Sequence, residues 1–584
     1  MQEIKAGESL AHIALKAFSG LRENADGDTK LKYGELARME NFRLTRHGHL
    51  QIRPGRKTLF PLAGEVTALW SGSCGGKEVL LCAMGGGVYL LDTEKETAQC
   101  IGHCSPNRGS FFAFEGKVYL LDGESYQVWT GEGDFAPVTP YIPVVAVSCT
   151  PEGSGVLLER VNRLTPLRRV RFSPDGESKS FALPEKDAQE VVSVLGGENW
   201  NFTNGKLTFA AAPPAGVDTV EVTYRCGEGA AEEVTAMRFC ELYGGLTDSR
   251  AFLYGDGTNR VLYSGLDEHG RPTAAYFPDL NECRIGEENT PVTALIRQYS
   301  AMLAFKPTGA WRVSHDILSL ADGTTADAFY VRGVNRDIGA ESFGAALVEN
   351  DPVTLCRGGA WRWSAGRAAA LDETNARLIS DEARDSMAQL SLPGAVLFDH
   401  GEEGELYILS GGRALVYNYA VGGWYRYENF PFTALAVHKG KLYGAYESGV
   451  ACVSRSYRND DGREIQAYAE TGAMDLGSAW RLKFSPRLYV AIEPENNARI
   501  QVNVESDRRS DYGGRSVVSS LANFLHVDFN HFSFATNRKP QVKRVKMKVK
   551  KAAYYKLIFS SRSASATATV LRADIAVRYG SGVK

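Results

Sequence analysis

Cys100, His103 and Cys104 place two thiols and an imidazole within one short stretch, Cys100-Ile101-Gly102-His103-Cys104. A structural zinc site needs four such ligands, and no second Cys/His cluster is placed to complete one. The stretch therefore reads as ordinary loop cysteines. Two acidic turns, Asn459-Asp460-Asp461-Gly462 and Gly255-Asp256-Gly257-Thr258-Asn259, could offer oxygens to calcium. Neither has the spaced ligands and closing Glu of a calcium loop. Side chains of this kind more often bond their own backbone and form turns. There is no Gly-x-Ser-x-Gly elbow in strand-to-helix context, no His-Glu-x-x-His and no Gly-x-x-x-x-Gly-Lys phosphate loop. The expectation is a chain without enzymatic activity, catalytic residues, cofactor or metal.

Ser173-Pro174-Asp175-Gly176-Glu177-Ser178 begins like the turn signature of sialidase blades but lacks its Thr-Trp, and it occurs once. The densest charge is Lys543-Arg544-Val545-Lys546-Met547-Lys548-Val549-Lys550-Lys551. As a strand it puts Lys546, Lys548 and Lys550 on one face and Val545, Met547 and Val549 on the other. That basic face is the candidate charged contact, for an acidic partner or passing DNA. The plainer reading, a solvated face whose lysines discourage edge pairing, is favoured. Tyr417, Tyr419, Trp424, Tyr425 and Tyr427 could line a sugar site, but aromatics at such strand positions are more often core.

The elements that would position these groups are strands. Val88-Tyr89-Leu90-Leu91-Asp92 returns unchanged as Val118-Tyr119-Leu120-Leu121-Asp122. Variants follow at Gly404-Glu405-Leu406-Tyr407-Ile408-Leu409 and Gly440-Lys441-Leu442-Tyr443-Gly444. A repeated strand-turn-strand phrase marks a radially repeated sheet architecture. The chain has 584 residues, 60 Gly, 26 Tyr and 26 Phe, which suits many turns and aromatic strands. The predicted fold is all-β: a β-propeller of six or seven blades with an inserted small β-sandwich and a C-terminal β-sandwich. The expected divisions are an arm over 1–60, propeller over 61–155 and 231–457, an insert over 156–230 and a sandwich over 458–584. Blade-like text is expected to resume at Val234. A net charge of −3 gives no global pull toward nucleic acid or membrane. No apolar run is long enough to span a membrane, and the start lacks signal-peptide order, so synthesis in a cytoplasm is expected.

Four stretches resemble structural proteins of tailed-phage virions, among them Asp248-Ser249-Arg250-Ala251-Phe252-Leu253-Tyr254-Gly255 to Tyr276-Phe277-Pro278. The first runs from Phe18-Ser19-Gly20-Leu21-Arg22-Glu23-Asn24 through Met39-Glu40-Asn41-Phe42 to Gly48-His49-Leu50-Gln51-Ile52-Arg53-Pro54-Gly55. It resembles the arm of the propeller proteins at the tail hub or nozzle of short-tailed phages. Asn162-Arg163-Leu164-Thr165-Pro166 through Gly176 is similar to small sandwich modules of phage virions. Lys550 to Phe559, with Arg572 to Tyr579, is similar to the terminal sandwich of prophage-encoded relatives. The resemblance implies a virion tail subunit assembled in the host bacterium. It implies a homo-oligomeric ring, often a hexamer, around the DNA exit channel, with portal or connector proteins as partners and non-specific contact with exiting DNA. It implies no catalytic residues. The alternative is a receptor- or carbohydrate-binding propeller of a tail fibre or cell-surface apparatus.

The arm holds one expected helix, Ser9 to Phe18, capped by Ser9 and striped by Leu10, Ile13, Ala14 and Ala17. With too little apolar surface for its own core, it must dock. Leu10, Ile13, Leu15 and Phe18 are the candidate assembly anchors. The competing expectation is that the arm closes the last blade.

Overall fold

The computed structural model describes residues 10–319, 325–341, 343–364, 375–495, 497–519 and 539–582. The chain is all-β. Among the described residues its α-helices are two single turns, Ala231–Thr235 and Arg384–Ala388. It divides into two compact units. The first comprises residues 1–62, 343–363 and 376–584, and the second comprises 63–342 and 364–375.

The second unit carries four antiparallel four-stranded sheets, each a simple meander. The first is Val66–Cys74, Lys77–Met84, Gly87–Asp92 and Thr97–His103. The second is Ser110–Phe114, Lys117–Leu121, Tyr126–Trp129 and Ala136–Pro137. The third is Phe239–Gly244, Thr247–Tyr254, Arg260–Tyr263 and Glu282–Arg284, and the fourth is Ala294–Gln298, Ala301–Lys306, Gly309–Ser319 and Thr325–Asn335. Successive sheets share apolar layers. Val118 and Leu120 pack with Leu81 and Val88 of the first sheet. Tyr119 and Leu121, pointing the other way along the same strand, pack with Leu253 and Leu262 of the third. A strand buried on both faces needs apolar residues at every position. This is why the repeated phrase is continuous rather than alternating. Its closing aspartate serves the turn: Asp122 accepts the backbone N–H groups of Glu124 at 3.0 Å and Ser125 at 2.6 Å.

The sheet resumes after the insert at Phe239, and Val234 lies instead in the helical turn Ala231–Thr235, a correction to the expected strand. Between the second and third sheets stands the inserted sandwich. One sheet has the order Val156–Leu157, Val144–Cys149, Leu167–Phe172, Val220–Cys226, Ala188–Leu195; the other is Ser180–Ala182, Lys206–Phe209, Trp200–Thr203. Phe172, Phe181, Leu207, Phe209 and Val222 form its own core. Val144–Cys149 pairs in parallel with Leu167–Phe172, so the insert begins at Val144 and not at 156.

The first unit carries three more meanders. These are Ala345–Val348 through Ala376–Leu378, Val396–His400 through Gly423–Tyr427, and Ala434–His438, Lys441–Tyr446 and Gly449–Ser454. The last takes its fourth strand from Gly55–Phe60, with Val450 opposite Phe60 and Ser454 opposite Gly55. The remaining strands make two facing layers. Ala467, Ala469, Ile500, Val502, Leu557 and Phe559 of one share a core with Leu488, Val490, Val545, Val549 and Ile575 of the other.

The expected N-terminal helix is corrected by this unit. Ala11–Leu15 is a strand, antiparallel to Thr569–Gly582, with Leu15 opposite Ala573. Five residues with apolar groups at Ile13 and Leu15 fit a period of two as well as a helical stripe, and an unpaired strand edge outweighs weak helix propensity. Ser9, the expected cap, lies outside the described residues. Nor is the segment a free arm. Leu21, Leu36, Met39, Phe42, Leu44 and Leu50 are buried in the core of the first unit.

Candidate interaction surfaces

The inserted sandwich is where apolar side chains meet solvent. Its five-stranded sheet has two edges, Val156–Leu157 and Ala188–Leu195. On the first edge Val156, Leu157 and the following Leu158 are exposed, Leu157 to 80%. On the opposite edge Val192 and Leu195 are exposed, Leu195 to 64%. Trp200 is exposed on the next strand, and Val217 in the turn that precedes Val220–Cys226. Edge strands are usually blunted by charge or Pro because their free N–H and C=O groups template pairing. Here Val156, Leu157, Val192 and Leu195 are exposed on the edges, with Gln189, Glu190 and Ser193 beside them on the second.

The insert is held at a fixed place on the second unit. Arg171 pairs with Glu221 at 2.7 Å and Glu268 at 2.8 Å, and Arg169 reaches the same two carboxylates at 3.5 Å. Glu268 belongs to the loop after the third strand of the third sheet. Asn162 donates to the carbonyls of Tyr141 and Ala275 at 2.8 and 2.9 Å and accepts from the N–H of Phe277 at 3.0 Å. Arg163 pairs with Glu233 and with Glu282, the latter at 3.1 Å. The insert is thus tied to the third sheet by paired charges as well as by chain connectivity.

The anchors expected from sequence lie inside the molecule. Leu15 and Phe18 are buried, Phe18 edge-on to Phe559 at 5.8 Å between ring centroids. Ile13 packs half-buried against the same core, and Leu10 is partly exposed. Their apolar surface is spent within the first unit. Lys546, Lys548 and Lys550 are exposed on Gln541–Ala552, with Val545, Met547 and Val549 buried behind them. That strand is the last in its sheet, beside Arg481–Ile492. Of the aromatic cluster, Trp424, Tyr425 and Tyr427 are core and Tyr417 and Tyr419 are half-buried. Tyr425 and Tyr407 donate to the buried Glu405 carboxylate at 2.5 and 2.6 Å, and Arg43 pairs with it at 2.7 Å.

The thiols and the acidic turns singled out from sequence have other partners. Cys100 Sγ lies 3.4 Å from the Gly102 carbonyl, and Cys104 Sγ 3.7 Å from that of Gly87. Burial pushes the Cys104 thiol up. Asp175 accepts from the N–H groups of Glu177 and Ser178 and from the Ser178 hydroxyl, which hold its carboxyl down at about 2. Asp256 does the same for Thr258. Asp460 is bidentate to the buried Arg53, at 2.6 and 3.0 Å. These acidic groups are turn and core parts.

Sequence reading missed two features. The exposed Val and Leu of the insert were visible as a strand pattern, but exposure depends on which strands end up at an edge. The second is a repeat, Gly309-Ala310-Trp311-Arg312 and Gly359-Ala360-Trp361-Arg362, which opens the third strand of two successive sheets.

No family model and no curated protein matches this chain. Solved structures similar to it are remote. One from the mitotic checkpoint complex is 9% identical, covers 69% of this chain and 95% of its own, and has a TM-score of 0.34. The extracellular domain of a one component system from B. thetaiotaomicron is 9% identical, covers 97% and 99%, and scores 0.21. A glycoside hydrolase family 43 arabinoxylan arabinofuranohydrolase from Bacillus subtilis is 9% identical, covers 89% and 99%, and scores 0.18.

Proposed function

We propose that this chain is a non-enzymatic structural subunit of a phage tail, a hub or nozzle protein that joins copies of itself in a ring around the DNA exit channel. The observation that carries the reading is the exposure of large apolar side chains, Val156 and Leu157 on one edge of the inserted sheet and Val192 and Leu195 on the other. Two different patches on one rigid sheet, at opposite edges, are what head-to-tail assembly needs: each copy offers one edge to each neighbour, and closure gives a ring. In this reading the seven four-stranded meanders are blades of a propeller, and the one from Val396–His400 to Gly423–Tyr427 continues through Glu35–Glu40 into the C-terminal layer. The strand Gly55–Phe60, which joins the N-terminal segment to the last meander, fits such an arrangement. The tail setting and the portal or connector as partner rest on the resemblance of residues 18–55, 162–176 and 550–579 to phage virion proteins. The exposed Lys546, Lys548 and Lys550 are available to passing phosphates.

The test is assembly of the purified full-length protein, followed by light scattering and negative-stain imaging. Rings are expected. Leu157→Glu alone and Leu195→Glu alone should each stop ring closure. An equimolar mixture of the two variants should stop at dimers, because each retains one working edge and only one productive pairing remains. A wild-type protein that stays monomeric at high concentration, or variants that still form rings, would overturn the proposal.

A further inference from the structure

The second unit holds a cleft of about 710 Å³ at one end of its fourth sheet. It is formed where the loop after Glu282–Arg284, the hairpin turn at Thr308 and the end of Thr325–Asn335 come together. Trp311 stands in it. The indole has space because glycines surround it. A Cβ at Gly286 would lie 2.4 Å from Trp311, and one at Gly309 2.9 Å from it. Across the strand pair Trp311 faces Gly333, not a side chain. The register shifts there, between Ala310 opposite Asn335 and Trp311 opposite Gly333, and such a bulge re-aims a side chain.

The neighbouring repeat shows what the same phrase does without a cleft. Trp361 faces Leu378 across its strand pair, and its indole N–H donates to the Cys356 carbonyl at 2.9 Å. The indole N–H of Trp311 has no hydrogen-bond partner among the described residues. Neither do the side chains of Asn289, Thr290, Thr308 and Arg336, which line the same cleft. Lys306, almost fully buried, sits with its ammonium 5.3 Å from the Trp311 ring centroid and donates to the Glu287 carbonyl. Its charge is desolvated there and fixed against the ring.

We propose that this cleft binds a saccharide, with a sugar ring against the Trp311 indole and its hydroxyls on the unpartnered amide, hydroxyl and guanidinium groups around it. An aromatic surface with a few convergent polar groups is the general form of a small-ligand site. Sugars suit it because their apolar C–H faces lie on an indole while their edges carry only donors and acceptors. Arg336 lines the cleft beside the Glu287 carboxylate, and the buried Lys306 ammonium behind the indole adds a positive field that favours an acidic sugar over a neutral one. The site is independent of ring formation, since it lies on the fourth sheet and the assembly edges lie on the insert.

The experiment uses full-length protein labelled with ¹⁵N at tryptophan, in which the indole N–H of Trp311 is assigned from its loss in Trp311→Phe. Trisaccharides of galacturonate, galactose and N-acetylglucosamine are titrated separately. A saturable shift of the Trp311 resonance with galacturonate, at least threefold tighter than with galactose, is the expected result. Galacturonate binding followed by calorimetry should be lost in Trp311→Ala and kept in Trp361→Phe. Absence of any shift at 10 mM of all three probes, or binding that survives Trp311→Ala, would overturn the proposal. Equal binding of galacturonate and galactose would overturn the preference for an acidic sugar.

Discussion

Glu241 is an acidic side chain that the fold leaves in poor company. It stands on Phe239–Gly244, the first strand of the third sheet, beside Cys240 and Tyr254, and among the described residues accepts only a long bond, from the Arg297 backbone N–H at 3.3 Å. Burial pushes its carboxyl up from the ordinary 4.5 to about 7. The unfolded chain therefore loses this proton earlier than the folded one as pH rises. Unfolding releases a proton between pH 4.5 and 7, so stability falls across that window and is flat on either side. The upper bound is about 3 kcal/mol, from 1.36 kcal/mol for each pH unit of difference. Glu241→Gln should melt higher than wild type at pH 8 and match it at pH 4.5, as followed by calorimetry. A variant with an unchanged pH slope would remove Glu241 as its source. Asp460 is the contrasting carboxylate. The sequence shows it as one of two aspartates in a polar turn, yet it is the partner of the buried Arg53. Which carboxylate meets a cation some 400 positions away is a matter of tertiary pairing, and neighbours in sequence carry no trace of it.

At the scale of elements, the strand Ala11–Leu15 lends itself to a direct measurement. Leu15 and Phe18 are buried among residues of the C-terminal layers. Leu15→Ala should destabilise the first unit by about 2–5 kcal/mol and Phe18→Ala by about 3–5 kcal/mol, the usual cost of a core cavity. If both residues instead served only a contact with another subunit, denaturant midpoints would not move. The strands of the second unit were legible in sequence because each is short, apolar and followed by a Gly or Asp turn. Val118-Tyr119-Leu120-Leu121-Asp122 is the second strand of its sheet, as are the later variants at Leu406 and Leu442. The first copy, Val88 to Asp92, is a third strand with Tyr89 and Leu90 half-buried, so its match to the second marks neither the same station in a sheet nor the same burial. The N-terminal strands were not legible. Ala11–Leu15 has no local partner and is paired by a strand more than 550 residues later, and Glu35–Glu40 has only the two-residue strand Gly20–Leu21 nearby and otherwise pairs with strands nearly 400 residues or more away. The candidate site fared less well. The lysine face was read directly from alternation, whereas the Trp311 cleft depends on a glycine opposite one tryptophan and a leucine opposite the other.

At the scale of the molecule, the insert behaves as a domain within a unit. Its core of Phe172, Phe181, Leu207, Phe209, Val222 and Tyr224 is separate from the layers shared by successive sheets. Residues 142–228 expressed alone should therefore fold, giving dispersed amide resonances and a cooperative thermal transition. A random-coil spectrum would mean that the charge pairs to Glu268 and Glu282 are required for its fold.

The pairing of Gly55–Phe60 with Gly449–Ser454 also sets a schedule. Phe60 leaves the ribosome about 390 residues before its partner Val450. At 5–20 residues per second that is a wait of roughly 20–80 s. The second unit, apart from its short segment after residue 363, is complete in the nascent chain well before then. Ala11–Leu15 and Gly55–Phe60, whose partners are synthesised late, must be kept from pairing with the wrong edge throughout. Synthesis thus leaves this chain open at its beginning until nearly its end, and chaperone demand should fall on the first 60 residues.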